Sequence, residues 1–84
     1  LNGYHMDKSL FDRISIDPNI CGGKPVIRGT RIWVSNILDL LSNGCSYDEI
    51  LSNYPGISNE DLSSCIKFAA YLSRVNLVDL PDAA

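Results

Sequence analysis

Two glycine-bearing turns in the first third of the chain hold residue types that bind anions. The first turn is Cys21-Gly22-Gly23-Lys24-Pro25 and the second is Arg28-Gly29-Thr30-Arg31. Cationic side chains beside flexible backbone suit phosphate oxygens or carboxylates. The candidate DNA- or partner-binding residues of this segment are therefore Lys24, Arg28, Thr30 and Arg31. The alternative is structural, with Arg28 and Arg31 forming internal salt bridges to the acidic helices.

A P-loop, the glycine-rich loop that binds the phosphates of a nucleotide, is excluded, although Gly22-Gly23-Lys24 is similar to part of that motif. Pro18 stands where that motif needs its first glycine, and Pro25 replaces the serine or threonine that would bind magnesium. The two glycines are instead interpreted as a tight turn that needs positive φ.

Neither a metal site nor a catalytic group is predicted. The three cysteines, Cys21, Cys45 and Cys65, are 24 and 20 residues apart with no C-x-x-C pair, and His5 is the single histidine. This is not a zinc-binding pattern, and Cys45 and Cys65 lie on apolar stripes where cysteine acts as a small core residue. The acidic side chains stand at helix starts or in the C-terminal tail rather than converging on one site. We therefore expect no enzyme activity and no cofactor.

The elements that must position these turns are two short strands followed by three helices. Alternation of Ile14 and Ile16 with Arg13, Ser15 and Asp17 predicts a short strand that Pro18 ends, and Val26 and Ile27 are expected to form a second. Helical periodicity predicts helices over Ser35–Asn43, Tyr47–Asn53 and Asn59–Val75. The fold class is therefore mainly α, a trihelical helix-turn-helix unit preceded by a short N-terminal β-hairpin.

Polar side chains predict where the helices begin. Ser35 is the expected N-cap of the first helix, and capping boxes of Ser46 with Glu49 and of Ser58 with Asp61 begin the second and third. The predicted apolar stripe of the third helix comprises Leu62, Cys65, Ile66, Ala69 and Ala70, widened by Phe68, Leu72 and Val75.

The third helix carries too few positive charges for typical DNA recognition, and its first turn carries acidic residues. Its first turn, Asn59-Glu60-Asp61, would repel phosphates, and Lys67 is the further candidate binding residue on it. Trp33, the single tryptophan, is either a core anchor between hairpin and helices or a contact at a dimer or partner interface.

Charge is divided unevenly along this single small domain of 84 residues with net charge -3. Residues 7–31 carry five bases and three acids, a net charge of +2, whereas residues 32–84 carry two bases and seven acids, a net charge of -5. Such a division favours two surfaces with different partners.

Three segments are expected along the chain. Residues 1–5 are interpreted as an expression scar before Met6, residues 6–75 as the folded domain and residues 76–84 as a flexible acidic tail. Leu77, Val78 and Leu80 are expected to anchor that tail on a partner. No apolar run approaches the roughly 20 residues of a membrane span, and no signal peptide is present, so the expected location is the cytoplasm.

The stretch from Ile14 to Ile32 reads ISIDPNICGGKPVIRGTRI. It resembles the signature of domain of unknown function family 433, short prokaryotic proteins similar to VapB-type antitoxins, and the resemblance extends over about Arg13 to Val75. Trp33 replaces the proline expected after this stretch, which bears on the local turn shape. The resemblance implies a homeodomain-like helix-turn-helix fold behind an N-terminal β segment, and pairing with a PIN-like toxin nuclease. The family has no settled catalytic residues, so none is carried over.

We therefore expect an antitoxin-like protein that binds operator DNA with one surface and blocks a PIN-like toxin ribonuclease with another. Toxin contact has two models: the acidic tail docks on the positive RNA-binding surface, or Arg28 or Arg31 enters the acidic metal site of the nuclease. Trp33 and the broad third-helix stripe predict a twofold homodimer. The main rival function is a protein-interaction and dimerisation module of helix-turn-helix shape that does not bind DNA.

Overall fold

The computed structural model describes residues 12–74, which form two short antiparallel strands followed by three helices. The strands are β1 (Ile14–Ser15) and β2 (Val26–Ile27), and the helices are α1 (Val34–Ser42), α2 (Tyr47–Asn53) and α3 (Asn59–Leu72). The predicted fold class, three helices behind a β-hairpin, is confirmed. The expected scar at residues 1–5 and the tail at 76–84, with its anchors Leu77, Val78 and Leu80, lie outside the described residues.

β2 is the middle of three extended segments. On one side it pairs with β1, Ile14 opposite Ile27 and Ser15 opposite Val26. On the other side Trp33 forms an isolated antiparallel bridge with Val26. The Ile27 N–H donates to the Ile32 carbonyl at 3.0 Å and thereby closes a tight turn between β2 and the segment that contains Trp33.

Side chains alternate across this small sheet and give it two faces. Ile14 and Ile27 are buried in the core, and Ile32 packs against it. Ser15, Val26 and Trp33 are each adjacent in sequence to one of these residues, so their side chains lie on the opposite side of the sheet. We call this side the outer face of the hairpin.

One apolar core joins the hairpin to all three helices. Each helix contributes at least one side chain that is at most 4% exposed. The buried cluster consists of Ile14, Ile27, Val34, Ile37, Ile50, Leu62, Cys65 and Phe68.

Strand β1 is shorter than predicted. Ile16 lies beyond its end and is 55% exposed. The chain turns away immediately afterwards, where the Asn19 N–H donates to Asp17 Oδ1 and the Ile20 N–H to the Asp17 carbonyl, both at 2.9 Å. Because this turn takes the backbone out of the sheet, the apolar alternation at Ile16 has no strand to continue.

The two predicted capping boxes are confirmed, but the predicted cap of α1 is wrong. Ser46 with Glu49 and Ser58 with Asp61 exchange side-chain and backbone hydrogen bonds as expected. In α1 the N-cap position is held by Trp33, with no side-chain cap. The Val34 N–H donates instead to the Pro25 carbonyl at 3.0 Å, so the hairpin itself satisfies one of the free donors of this helix.

The predicted stripe of α3 is only partly buried. Leu62, Cys65 and Phe68 lie in the core, whereas Ile66 is 44% and Leu72 is 47% exposed. Ile66 lies 100° around the helix from Cys65, on its flank. Leu72 is in the last turn of α3, a helix of 14 residues that packs on α1 and α2, which have nine and seven residues.

Across residues 12–74 no helix combines the length and the apolar character needed to cross a membrane.

Candidate functional site

The outer face of the hairpin brings together three of the residues predicted to bind a partner. Lys24 Nζ lies 5.0 Å from the centroid of the Trp33 ring. Arg31 is two residues before Trp33 and so lies on the same side of its extended segment. Lys24 and Arg31 are exposed and Trp33 is half-buried. This arrangement places two cations and an indole ring on one surface.

Both cations retain their capacity to bind an anion. A cation–π contact at an exposed site contributes about 0.5–1 kcal/mol and leaves the ammonium hydrogens of Lys24 available. Among residues 12–74, Lys24 forms no ion pair, and the Arg31 side chain forms neither an ion pair nor a hydrogen bond. The alternative in which Arg31 pairs with an acidic helix is therefore not found in this part of the chain.

A groove of about 430 Å³ lies beside Arg31. Val26 and Ile20 supply its apolar lining, and Ser15 and Arg31 supply its polar lining. Gly29 and Thr30 of the second turn complete it. A groove with one cationic group beside an apolar surface suits an anionic group that is attached to a less polar body.

The first glycine turn positions Lys24 through an unusual run of left-handed backbone. Cys21, Gly22 and Gly23 have φ of 52°, 65° and 86°, which confirms the predicted tight turn. Cys21 is the single non-glycine residue with positive φ between residues 12 and 74. Its Sγ donates a long hydrogen bond of 3.8 Å to the Arg31 carbonyl, so the thiol links the two turns.

The second glycine turn uses Thr30 for its own structure. Gly29 has φ of 81°, and the Thr30 N–H donates to the Ile27 carbonyl at 3.0 Å. The Thr30 hydroxyl donates to the same carbonyl at 2.7 Å and accepts from the Ile32 N–H at 2.9 Å. With its hydroxyl already engaged twice, Thr30 holds the turn that carries Arg31, and its predicted ligand role is the weaker interpretation.

Arg28 also acts within the hairpin. Its Nε donates to the Asp12 carbonyl at 2.8 Å and its Nη2 to the Ile14 carbonyl at 2.9 Å. The ion pair between the hairpin and α3 is made instead by Arg13, whose Nη1 lies 3.2 Å from Asp61 Oδ1. Sequence reasoning did not single out Arg13, because which base faces the acidic start of α3 depends on how the hairpin packs on the helices.

Lys67 lies apart from the outer face of the hairpin. It lines a groove of about 710 Å³ along the first half of α3. The carboxylates of Asp12 and Glu60 share this groove with the Arg13 and Lys67 cations, and Asn59, Ser63 and Ser64 complete it. Its charges balance, so the α3 groove is less suited to phosphate than the hairpin face is.

Within the described residues no three His, Cys, Asp or Glu side chains come together as metal ligands. Burial, with a smaller contribution from the Asp61 charge, raises the pKa of the Cys65 thiol to about 11. This thiol therefore stays protonated near neutral pH, which suits the predicted core role of Cys65. Cys45 also packs against the core, as predicted.

Comparison with known families and structures identifies similar proteins. Residues 14–69, more than half of the chain, match the family described as protein of unknown function (DUF433). A solved structure of a DUF433 member protein from Anabaena variabilis ATCC 29413 is similar, with 38% sequence identity and a TM-score of 0.69. The match covers 75% of this chain and 62% of that protein. A search of curated proteins finds no match.

Proposed function

The chain belongs to the DUF433 family, and on that premise we propose that it is an antitoxin-like protein that binds operator DNA through the outer face of its hairpin. Its role is binding rather than catalysis. The proposal also includes inhibition of a PIN-like toxin ribonuclease by a second surface.

The observation that supports DNA binding is that two exposed cations, Lys24 and Arg31, lie on the same face of the hairpin. Phosphate contacts by lysine and arginine supply most of the sequence-independent part of DNA affinity. The α3 groove is a weaker candidate because Glu60 and Asp12 offset its bases. We therefore expect the protein to contact the DNA phosphate backbone through the hairpin rather than through α3 alone.

Toxin inhibition is assigned to the acidic segment after α3. Leu77, Val78 and Leu80 would supply apolar anchors, and Asp79 and Asp82 would face the positive RNA-binding surface of the nuclease. In the opposing model an arginine enters the acidic metal site of the toxin. Arg31 is the better candidate for that role because the Arg28 guanidinium is engaged by two backbone carbonyls.

A twofold homodimer is part of the proposal, with the α3 flank at Ile66 as the interface candidate, because Trp33 lies on the face assigned to DNA. A dimeric reader would protect two half-sites about 34 Å apart, or a multiple of that distance, on one face of the duplex. The rival function, an interaction module that does not bind DNA, would use the same surfaces for protein contacts alone.

The decisive experiment measures binding to promoter fragments from upstream of the chain's own gene as a function of salt. We expect Lys24→Gln and Arg31→Gln each to weaken binding and to reduce the slope of log affinity against log salt by about 1. Lys67→Gln is the matched control, since it removes one exposed positive charge from the α3 groove. Its affinity and salt slope should stay close to those of the unsubstituted protein.

Two outcomes would contradict the proposal. If promoter fragments show no shift at low salt, with or without the toxin, the DNA role is lost and the interaction module becomes the better account. If Lys67→Gln weakens binding as much as Arg31→Gln does, the contact surface includes α3, and the outer face of the hairpin is not the principal DNA contact.

A further inference from the structure

The hydrogen bonds of the sheet show which edge is open. The Arg28 N–H donates to the Arg13 carbonyl at 2.8 Å, so the carbonyl of Arg13 points toward β2. Successive carbonyls along a strand point to opposite sides, which turns that of Ile14 away from β2, and the carbonyl of Asp12, in the turn before β1, lies with it against the Arg28 guanidinium. β2 is already paired on both sides. Within residues 12–74, β1 therefore forms the open edge of this sheet.

The side chain of Arg28 occupies that edge. Its Nε and Nη2 donate to the carbonyls of Asp12 and Ile14 at 2.8 and 2.9 Å. The same residue thus binds this segment on both sides: its backbone N–H binds the carbonyl of Arg13, just before β1, and its guanidinium binds the outward carbonyl of Ile14. Arginine is suited to this because its planar group carries several donors in a fixed geometry.

We propose that the Arg28 side chain closes the β1 edge and so prevents a second copy of this chain from adding a strand there. An unprotected edge strand presents a row of carbonyl and N–H groups that template pairing with another strand, and charged side chains are one means of blocking it. Here the positive charge lies directly on the carbonyls that an incoming strand would need. This role is independent of the proposed DNA and toxin contacts, which use Lys24, Arg31 and the segment after α3.

The test compares Arg28→Met with Arg31→Met. Methionine keeps an unbranched stem but removes every donor, and Arg31 is an exposed arginine of the same turn whose side chain forms no hydrogen bond within residues 12–74. Light scattering coupled to size exclusion, over a range of concentrations, reports the mass. We expect the Arg28→Met variant to grow with concentration beyond the mass of the unsubstituted protein, whereas Arg31→Met keeps that mass.

A second substitution separates edge protection from simple loss of stability. Asp12→Pro places a residue without a backbone N–H immediately beside the β1 edge and so blocks strand pairing there. We expect the double variant Arg28→Met with Asp12→Pro to return to the mass of the unsubstituted protein. Assemblies that persist in the double variant would overturn the proposal, as would an unchanged mass for Arg28→Met.

If circular dichroism shows that Arg28→Met does not fold, Arg28→Lys replaces it. A lysine ammonium reaches one carbonyl at a time and leaves the other exposed, so the mass of this variant should rise above that of the unsubstituted protein as the concentration increases. An Arg28→Lys mass that equals that of the unsubstituted protein at every concentration would then contradict the proposed role.

Discussion

At the scale of single residues, the buried thiol of Cys65 behaves as an apolar group. It is fully buried, and its pKa is raised to about 11 from the ordinary 9.0, mainly by burial and then by Asp61. Cys21 and Cys45 are partly exposed. The three thiols therefore differ in accessibility, which chemical modification can measure.

We expect Cys65 to resist thiol reagents at pH 8 while Cys21 and Cys45 react.

The raised pKa of Cys65 in the folded state also affects stability. Because the unfolded chain loses this proton at a lower pH than the folded chain does, the free energy of unfolding falls as the pH rises from about 9 to 11. Urea denaturation of the unsubstituted protein and of Cys65→Ala across that range isolates the effect, because the variant lacks this titration. Equal pH dependence in the two proteins would refute it.

Residue type alone could not separate candidate binding residues from structural ones in the second turn. Arg28, Thr30 and Arg31 are equivalent in sequence as polar groups beside a glycine. In the structure Arg28 and Thr30 donate to nearby carbonyls, whereas Arg31 has no such partner among residues 12–74. For Arg28 the difference depends on which carbonyls of the neighbouring segment face it, a consequence of register, and for Thr30 it depends on the Ile27 carbonyl of its own turn.

At the scale of elements, the helix starts were predictable where the signal is local. The box of Ser46 and Glu49 spans four consecutive residues, and the structure has the Ser46 N–H donating to Glu49 Oε1 at 2.8 Å. The start of α1 was not predictable in this way, because the Val34 N–H is satisfied by Pro25 across the hairpin. A pattern confined to one segment cannot contain that partner.

The α2 capping box should be sensitive to acid. Hydrogen bonds from the Ser46 backbone and then from its hydroxyl lower the pKa of Glu49 below the ordinary 4.5. A lowered pKa in the folded state stabilises the protein above pH 4.5, and this contribution is lost as the pH falls through the lowered value. We expect Glu49→Gln, which keeps an accepting oxygen without titrating, to lack this part of the acid dependence in urea denaturation.

Ser46→Ala provides the corresponding test of the serine, with an expected cost of about 1 kcal/mol near neutral pH. If the acid dependence of Glu49→Gln matches that of the unsubstituted protein, the carboxylate does not stabilise the helix start as described.

At the scale of the whole molecule, the hairpin and the helices share one core. Ile14 and Ile27 come from the sheet and pack in the same buried cluster as Ile37, Ile50 and Leu62 of the helices. The helical stripes made most of this core predictable from periodicity. The end of the α3 stripe was not, because burial of Leu72 depends on how far the neighbouring helices extend and not on its own spacing.

A shared core in a small domain predicts a single cooperative unfolding transition. Trp33 fluorescence reports the outer face of the hairpin and far-UV circular dichroism reports the helices, so the two urea transitions should coincide. Ile27→Val should shift both midpoints together, at a cost of roughly 0.5–1.5 kcal/mol, because Ile27 is 1% exposed. Ile16→Val removes the same methylene from a side chain that is 55% exposed, and its effect should stay within about 0.5 kcal/mol. A fluorescence midpoint that moves while the dichroism midpoint stays in place would mean that the hairpin unfolds separately and that the core does not couple the outer face to the helices.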